Sequence, residues 1–529
     1  EEDGTWVYYN RAGEKVANAW EYSGDNRFYL DDAGNMATDS LIEDNDDYYY
    51  VDANGAMVRN RWVAIDNEEA GEENQPDVWW YYFQANGKAY KNTHASGNIF
   101  KKVINGKTYA FDEDGKMQYG WVKKEDGVTN YDDNAYQECD YYFGDENDGA
   151  MSIGWREIAL TDVADAETEQ PGDSYWDSDQ VRWFYFKSSG MKQTSSTNKT
   201  INGRKYGFDE WGRMIADWHA ATANDADNQL SRRGSSNNAA VTATKDYARD
   251  FMYFSSPEDG ARFTKGWFKV VPGYYLNYKD YDDGTDRWYY ANGDGKIAAG
   301  EIKAIKGKKY AFDLKGGMIS GLALLRTNGK EISEYADSDG KYDSQDSFET
   351  TARGLSGDWG FYYFSDNEDK DGSMKTGNQR ISLDGENFTF SFRKGGTRKG
   401  QGINGLNEKK YYLGGMLMTA DADTKIELLN KNTLEKVTVD KFVRTNGLVG
   451  KDVTSGKVGQ ANKGDVVYTD GTTGTTGTAT GLDLTSLTAD YVVVNVSGNV
   501  VKSGSKVDGD GYKVVLDGNN RVKQIIATY

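Results

Sequence analysis

An internal repeat constrains this chain more than any other feature. The clearest block begins Ile104-Asn105-Gly106-Lys107 and runs on through Tyr109, Phe111-Asp112, Gly115 and Met117. It recurs from Ile201 and from Ile305, and a worn copy starts at Ile403. The starts lie 97, 104 and 98 residues apart, and Ile, Gly and Met keep offsets of 0, 11 and 13 in all four copies. Two further blocks share this long period: Trp80 to Phe83, Trp183 to Phe186 and Trp288 to Tyr290, with a worn Phe388-Thr389-Phe390; and Tyr142-Phe143, Tyr253-Phe254 and Tyr363-Phe364. Hairpin-sized units of about 20 residues are thus nested in a superrepeat of about 100.

Each unit reads as a β-hairpin. Aromatic residues alternate over four or five positions, as a half-buried strand requires. Asp-x-x-Gly or Asn-Gly then supplies the tight turn, as at Asp52-Ala53-Asn54-Gly55. A short return strand follows, opening at Met; eight of the 11 Met residues have Gly two positions earlier. A lone hairpin is marginal in water, so the units must stack to bury their rings. The expected fold is all-β: an elongated β-hairpin solenoid over residues 1–420, then a β-sandwich or barrel-like module over 421–529. That boundary follows a shift to Val, Thr, Gly and Lys after the last Met, Met418. Module strands are expected at 424–429, 434–444, 464–469, 490–496, 499–503, 511–516 and 521–528, with a Thr/Gly loop at 470–481. Long acidic segments at 65–77, 156–182, 219–250, 268–286 and 323–358 read as spacers between units, a few with a recognition or assembly role.

Composition narrows the function. With 62 basic and 84 acidic residues the net charge is -22, which repels nucleic acid. Mean hydropathy is -0.80, yet 14% of residues are aromatic, more than a disordered chain carries. Cys139 stands alone, so no disulfide forms within the chain and no Zn-Cys site is available. No apolar run approaches the roughly 18 residues of a membrane span. The acidic start at Glu1-Glu2-Asp3 suits a mature secreted chain, and equally a cytosolic one.

The unit Asp52 to Met57, five residues before Trp62, resembles the choline-binding, or cell-wall-binding, repeat family. So does Tyr142-Phe143 through Gly149-Ala150-Met151 to Gly154-Trp155. The blocks at Ile104 and Ile201 resemble the related repeats of glucan-binding proteins and clostridial toxin receptor-binding regions. The resemblance covers about residues 5–420. It implies secreted, noncatalytic repeats that hold choline on wall polymers or grip glucan chains. A quaternary ammonium sits well among aromatic faces, and pyranose rings stack on the same faces. Carried over by motif, the connector residues Trp20, Trp62, Trp121, Trp155, Trp218 and Trp267 would form one wall of each site. Trp80, Tyr82, Trp183, Tyr185, Trp288 and Tyr290 would form others. The plainer reading of any single ring is solenoid core. The connector position is Leu322 in one unit.

No catalysis is expected. His94 and His219 lie far apart in a one-dimensional fold, and no nucleophile elbow, P-loop or His-Glu-x-x-His motif is present. Calcium is a minor candidate at Asn367, Asp369 and Asp371, which match the first half of an EF-type loop; Asn378 stands where a bidentate Glu is needed. The plain reading there is an acidic turn, and no cofactor is expected. The chain is therefore expected on a Gram-positive cell surface, holding wall polymer or glycan, with noncovalent attachment because no Leu-Pro-x-Thr-Gly signal is present. One alternative is a self-assembling surface fibre or layer subunit that docks through its C-terminal module. Another is the targeting region of a secreted enzyme or toxin.

Overall fold

The connector tryptophans and the aromatic segments pair with each other across antiparallel hairpins. In a computed structural model, the structure describes residues 1–93, 97–132, 134–160, 181–220, 245–273, 276–367, 371–446, 448, 466–469 and 484–528. Strand Arg61–Asp66 pairs with Val78–Phe83, Gly154–Ala159 with Val181–Phe186, and Gly266–Val270 with Arg287–Ala291. The registers set Trp62 opposite Tyr82, Trp155 opposite Tyr185 and Trp267 opposite Tyr290.

Two expectations change here. The acidic segments do not separate units: 65–77, 156–182 and 268–286 fall largely between the two strands of one hairpin. Closing a longer loop costs only logarithmically more, so the pairing survives the insert. Residues 161–180 and 221–244 of these segments lie outside the described residues. The return strand expected at Met is a single bridge in three copies, Phe111 with Met117, Phe208 with Met214 and Phe312 with Met318, and a short strand, Met416–Leu417, in the fourth. The turn before it is held by its aspartate. Asp112 Oδ1 accepts the N–H groups of Asp114 and Lys116 at 3.0 and 2.8 Å, and Gly115 takes a φ of +82° that side chains disfavour.

The same Met joins one hairpin to the one before. Met117, Met214 and Met318 donate their N–H to the carbonyls of Trp80, Trp183 and Trp288 at 2.7, 2.8 and 2.8 Å. Their side chains lie where a Cβ on a glycine of the following turn would stand: Met117 at Gly149, Met214 at Gly260, Met318 at Gly372. The glycines of the Ile blocks have other neighbours: Gly115, Gly212 and Gly316 take left-handed φ and face the carbonyl oxygens of Tyr90, Gln193 and Ala298. A Cβ on Gly149 would stand 2.6 Å from the Gln118 carbonyl oxygen and 2.9 Å from Met117 Cε. Gly149→Ala is therefore expected to cost about 1–3 kcal/mol through overpacking. Thermal melting checks this, and an unchanged midpoint would show that the joint has room.

The fourth copy is displaced from Ile403. There Gly405 opens a strand, Gly405–Asn407, and the turn falls at Glu408-Lys409. The turn that matches Asn105-Gly106 and Asn202-Gly203 is Asp384-Gly385, between Gly377–Leu383 and Glu386–Phe392. The 323–358 segment adds strand Glu331–Ala336 and helix Gln345–Gly354, capped by Ser344.

The fold is all-β, with two corrections in the C-terminal module. The strand expected at 434–444 is a two-residue strand, Lys436–Val437, followed by helix Val439–Thr445. Thr438 caps that helix by accepting the Lys441 N–H, Asp440 pairs with Arg444 one turn on, and Val439, Phe442 and Val443 face inward. The strand expected at 499–503 lies at Gly504–Val507. The module is a sandwich: Ile426, Leu428 and Val493 of a three-stranded sheet pack with Tyr512, Val514 and Ile525 of a four-stranded sheet and with the helix. Leu429, Leu434 and Val494 share a second core with Phe348, Phe361 and Tyr411. The Thr/Gly loop at 470–481 lies outside the described residues. Two compact units emerge, Glu1–Val241 with Phe251–Thr264 and Gly273–Tyr278, and Thr242–Asp250 with Lys265–Pro272 and Lys279–Tyr529. Among the described residues no helix is long and apolar enough to cross a membrane.

Candidate functional site

Stacking the hairpins builds ring corners of one recurring geometry. Trp62 stands 5.3 Å from Tyr82 at 71° and 4.8 Å from Tyr109 of the next hairpin at 65°. Trp155 stands 5.3 Å from Tyr185 and 4.8 Å from Tyr206, both at 68°. Trp267 stands 5.3 Å from Tyr290 at 70° and 4.8 Å from Tyr310 at 67°. A phenylalanine floors each corner: Phe111, Phe208 and Phe312 lie 5.7, 5.6 and 5.5 Å from the tryptophan. A second tryptophan completes the set. Trp183 lies 6.3 Å from Trp155 at 85°, Trp288 lies 6.4 Å from Trp267 at 84°, and Trp80 joins the Trp62 cluster. The floors are buried while the tryptophan and tyrosine walls are half-buried or, at Tyr109 and Tyr206, just buried. Edge-to-face pairs of this kind set the positive rim of one ring against the negative face of another, and a ring face left open attracts a cation.

The third walls, Tyr109, Tyr206 and Tyr310, belong to the Ile-Asn-Gly block and were absent from the residues carried over by motif. Their signal was a constant offset of five from Ile104, Ile201 and Ile305. The other connector tryptophans differ. Trp20 stands 5.1 Å from both Tyr29 and Tyr49, with the Arg27 guanidinium over its ring. Trp121 is buried, 5.0 Å from Tyr142 and 5.2 Å from Phe184, with Lys192 over its ring. Trp218 stands 5.2 Å from its cross-strand partner Tyr253. Leu41 and Leu322 occupy the connector position opposite Tyr50 and Tyr363.

The remaining candidates have plain settings. Asp371 accepts a hydrogen bond from Lys375 at 2.7 Å and lies 3.4 Å from Lys308. Burial pushes its carboxyl up, but the bonds from Lys375 and Ser373 outweigh that and hold it well below the ordinary range. Asp369 and His94 lie outside the described residues. Among the described residues no group of three His, Cys, Asp or Glu side chains could hold a metal ion. His219 has a buried Nε2, and Cys139 is buried, its thiol pushed up to about 12.

Comparison with known proteins finds similarity over parts of the chain. Residues 14–56 match the choline-binding repeat. The match spans Trp20, Tyr29 and Tyr49, the rings of the first corner. Glucosyltransferase-S of Streptococcus mutans is 25% identical over 347 residues, covering 60% of this chain and 20% of that protein. Glucosyltransferase-I of Streptococcus downei is 23% identical over 354 residues, covering 61% and 20%. The chain thus spans about a fifth of the length of the curated relatives it matches. Among solved structures, CbpJ of Streptococcus pneumoniae is similar at 16% identity and a TM-score of 0.38, over 73% of this chain and all of that one. The modular autolysin LytC of the same species, solved with a synthetic peptidoglycan ligand, is similar at 17% identity and a TM-score of 0.32, over 61% and 53%.

Proposed function

We propose that the chain is a noncatalytic extracellular binding protein of a bacterial surface. In this reading the corners at Trp62, Trp155 and Trp267 hold the quaternary ammonium groups of a choline-bearing wall polymer. The carrying observation is that three separate corners repeat one ring geometry to within 0.2 Å in each centroid distance from the tryptophan to its tyrosines and phenylalanine. A core that only had to exclude water would tolerate more varied packing. Rings set at 65–71° to each other enclose a rounded cation better than a flat sugar, which needs one broad open face. The choline-binding repeat at 14–56 supports the same ligand class.

Titration with choline chloride tests this, with an α-glucan as the competing ligand. Choline at a hundred times its dissociation constant is expected to stabilise the fold by about 2.7 kcal/mol per site that binds only the folded form. Trp155→Ala is expected to remove one site and leave the other two. Stabilisation by the glucan alone would move the function to carbohydrate, and a response to neither ligand would sink the binding reading. The limited coverage of the glucosyltransferases favours one second reading, the targeting region of a larger secreted enzyme. Wall binding by this chain alone would serve both.

A further inference from the structure

The corner at Trp20 departs from the three congruent ones at two positions. Val51, which bridges to Met57 as Phe111 bridges to Met117, replaces the phenylalanine floor. The second position is the one that Trp80, Trp183 and Trp288 hold elsewhere. Met57 donates its N–H to the Arg27 carbonyl at 2.8 Å, as Met117, Met214 and Met318 donate to Trp80, Trp183 and Trp288. Arg27 also precedes Tyr29 by two residues, as those tryptophans precede Tyr82, Tyr185 and Tyr290. An arginine therefore stands where the other corners carry their second tryptophan. Its guanidinium carbon lies 5.0 Å from the Trp20 ring centroid and 5.7 Å from that of Tyr22. Its Nε is buried with no hydrogen-bond partner. Ring faces, and no carboxylate among the described residues, hold this charge.

The Trp121 corner shows the same outcome from a different position. Lys192 bridges to Phe186 as Met117 bridges to Phe111 and Met214 to Phe208. A lysine thus replaces the joint methionine. It is buried, donates to the Tyr136 carbonyl, and places Nζ 5.5 Å from the Trp121 centroid. The register that elsewhere delivers a thioether here delivers an ammonium.

We propose that these two corners are filled from within. Arg27 and Lys192 supply the cation that the rings at Trp20 and Trp121 would otherwise draw from a ligand. The chain then takes external quaternary ammonium groups at Trp62, Trp155 and Trp267 but not at Trp20 or Trp121. A tethered cation competes at an effective concentration of about millimolar or more, and a ligand must displace it before touching the rings. The inference rests on the binding reading above and adds which corners are closed and by what. It also separates likeness from occupancy, because the segment that matches the choline-binding repeat contains a closed corner.

Isothermal titration with choline chloride tests it on the full chain. Arg27→Trp places a ring at a register where three sister hairpins already hold one, so the fold should accept it. Stoichiometry is expected to rise by one over the wild type. Arg27→Gln, which removes the charge, is expected to add the same site with weaker affinity. Trp20→Ala is expected to leave wild-type stoichiometry unchanged. If Trp20→Ala removes a site, or if neither Arg27 variant adds one while Trp155→Ala still removes one, the inference falls and the binding reading stands. A wild type that binds no choline overturns both.

Discussion

Phe312→Ala is expected to remove about 3–5 kcal/mol of stability from the repeats around it. Phe312 is fully buried and packs with Ala298, Ile305 and Met318. It lies stacked beneath Trp267, 5.5 Å away at 29°. Truncation leaves a cavity that the backbone cannot close, because Phe312 is fixed on both sides. Its strand pairs it with Glu301, and it bridges to Met318 beyond the Asp313 turn. In a stack of hairpins each unit leans mainly on its neighbours, so the loss should stay local. A single global midpoint would hide it, since a chain of this size need not unfold in one step. Amide hydrogen exchange is the better measurement. Protection should fall in Glu301–Ile305 and Lys308–Phe312 and persist in Val522–Ala527, where a separate core is intact. Under the proposed function, choline binding at the Trp267 corner is expected to weaken as well, because the ring loses its floor. A uniform loss of protection along the chain, or a cost below about 1 kcal/mol, would contradict this packing.

The parts of this fold that were legible in the sequence are the local ones. Asp112 to Gly115 announces its turn because the aspartate bonds the N–H groups two and four residues on, and the glycine takes the left-handed φ. The Gly–Met spacing was equally visible, but its cause was not. The glycine is set by its left-handed φ at Gly115, Gly212 and Gly316, and the methionine by contact between successive hairpins, Met117 against the site of Gly149; a periodicity alone does not say what is touched. Strand pairing was misjudged for a related reason. The nearest segment to Val78–Phe83 lies across the following turn, whereas its partner Arg61–Asp66 lies back across an acidic insert. Val437-Thr438-Val439 reads as strand by β-branching, yet the Thr438 cap and the Asp440–Arg444 pair start a helix there. For the site, the connector tryptophans were visible as residues, and what surrounds each one was not. Trp121 and Trp155 look alike in sequence. They part in their surroundings: Trp121 is buried against Phe184 with Lys192 over its ring, whereas Trp155 is half-buried against Tyr206 and Trp183.

Acidification from pH 7 to pH 4 is expected to cost the fold about 3 kcal/mol through His219 alone. His219 lies on strand Trp218–Ala220 opposite Met252, with its ring edge-on to Phe254 at 6.1 Å. Burial lowers its pKa from 6.5 to about 4, against a weaker upward pull from Asp209. The folded form thus resists a proton that the unfolded chain accepts. Stability is unaffected above about pH 6.5, declines as pH falls below that value, and levels off below about pH 4. At pH 4 the loss amounts to about 3 kcal/mol, because each tenfold difference in proton affinity between the two states is worth about 1.4 kcal/mol. Asp112 and Asp217, both pushed up to about 6 by burial, act in the opposite sense. Each binds a proton more tightly when folded, so each recovers stability over part of the same range. The raw acid profile is therefore a sum of opposing contributions, and the histidine must be isolated by comparison. His219→Leu removes the titration and keeps an apolar side chain against Phe254. Native-state amide hydrogen exchange of Trp218–Ala220 and Phe251–Tyr253 in both proteins should show the variant gaining about 3 kcal/mol on the wild type between pH 7 and pH 4. A gap that stays constant over that range would mean that the imidazole takes up its proton as readily in the fold as in the unfolded chain.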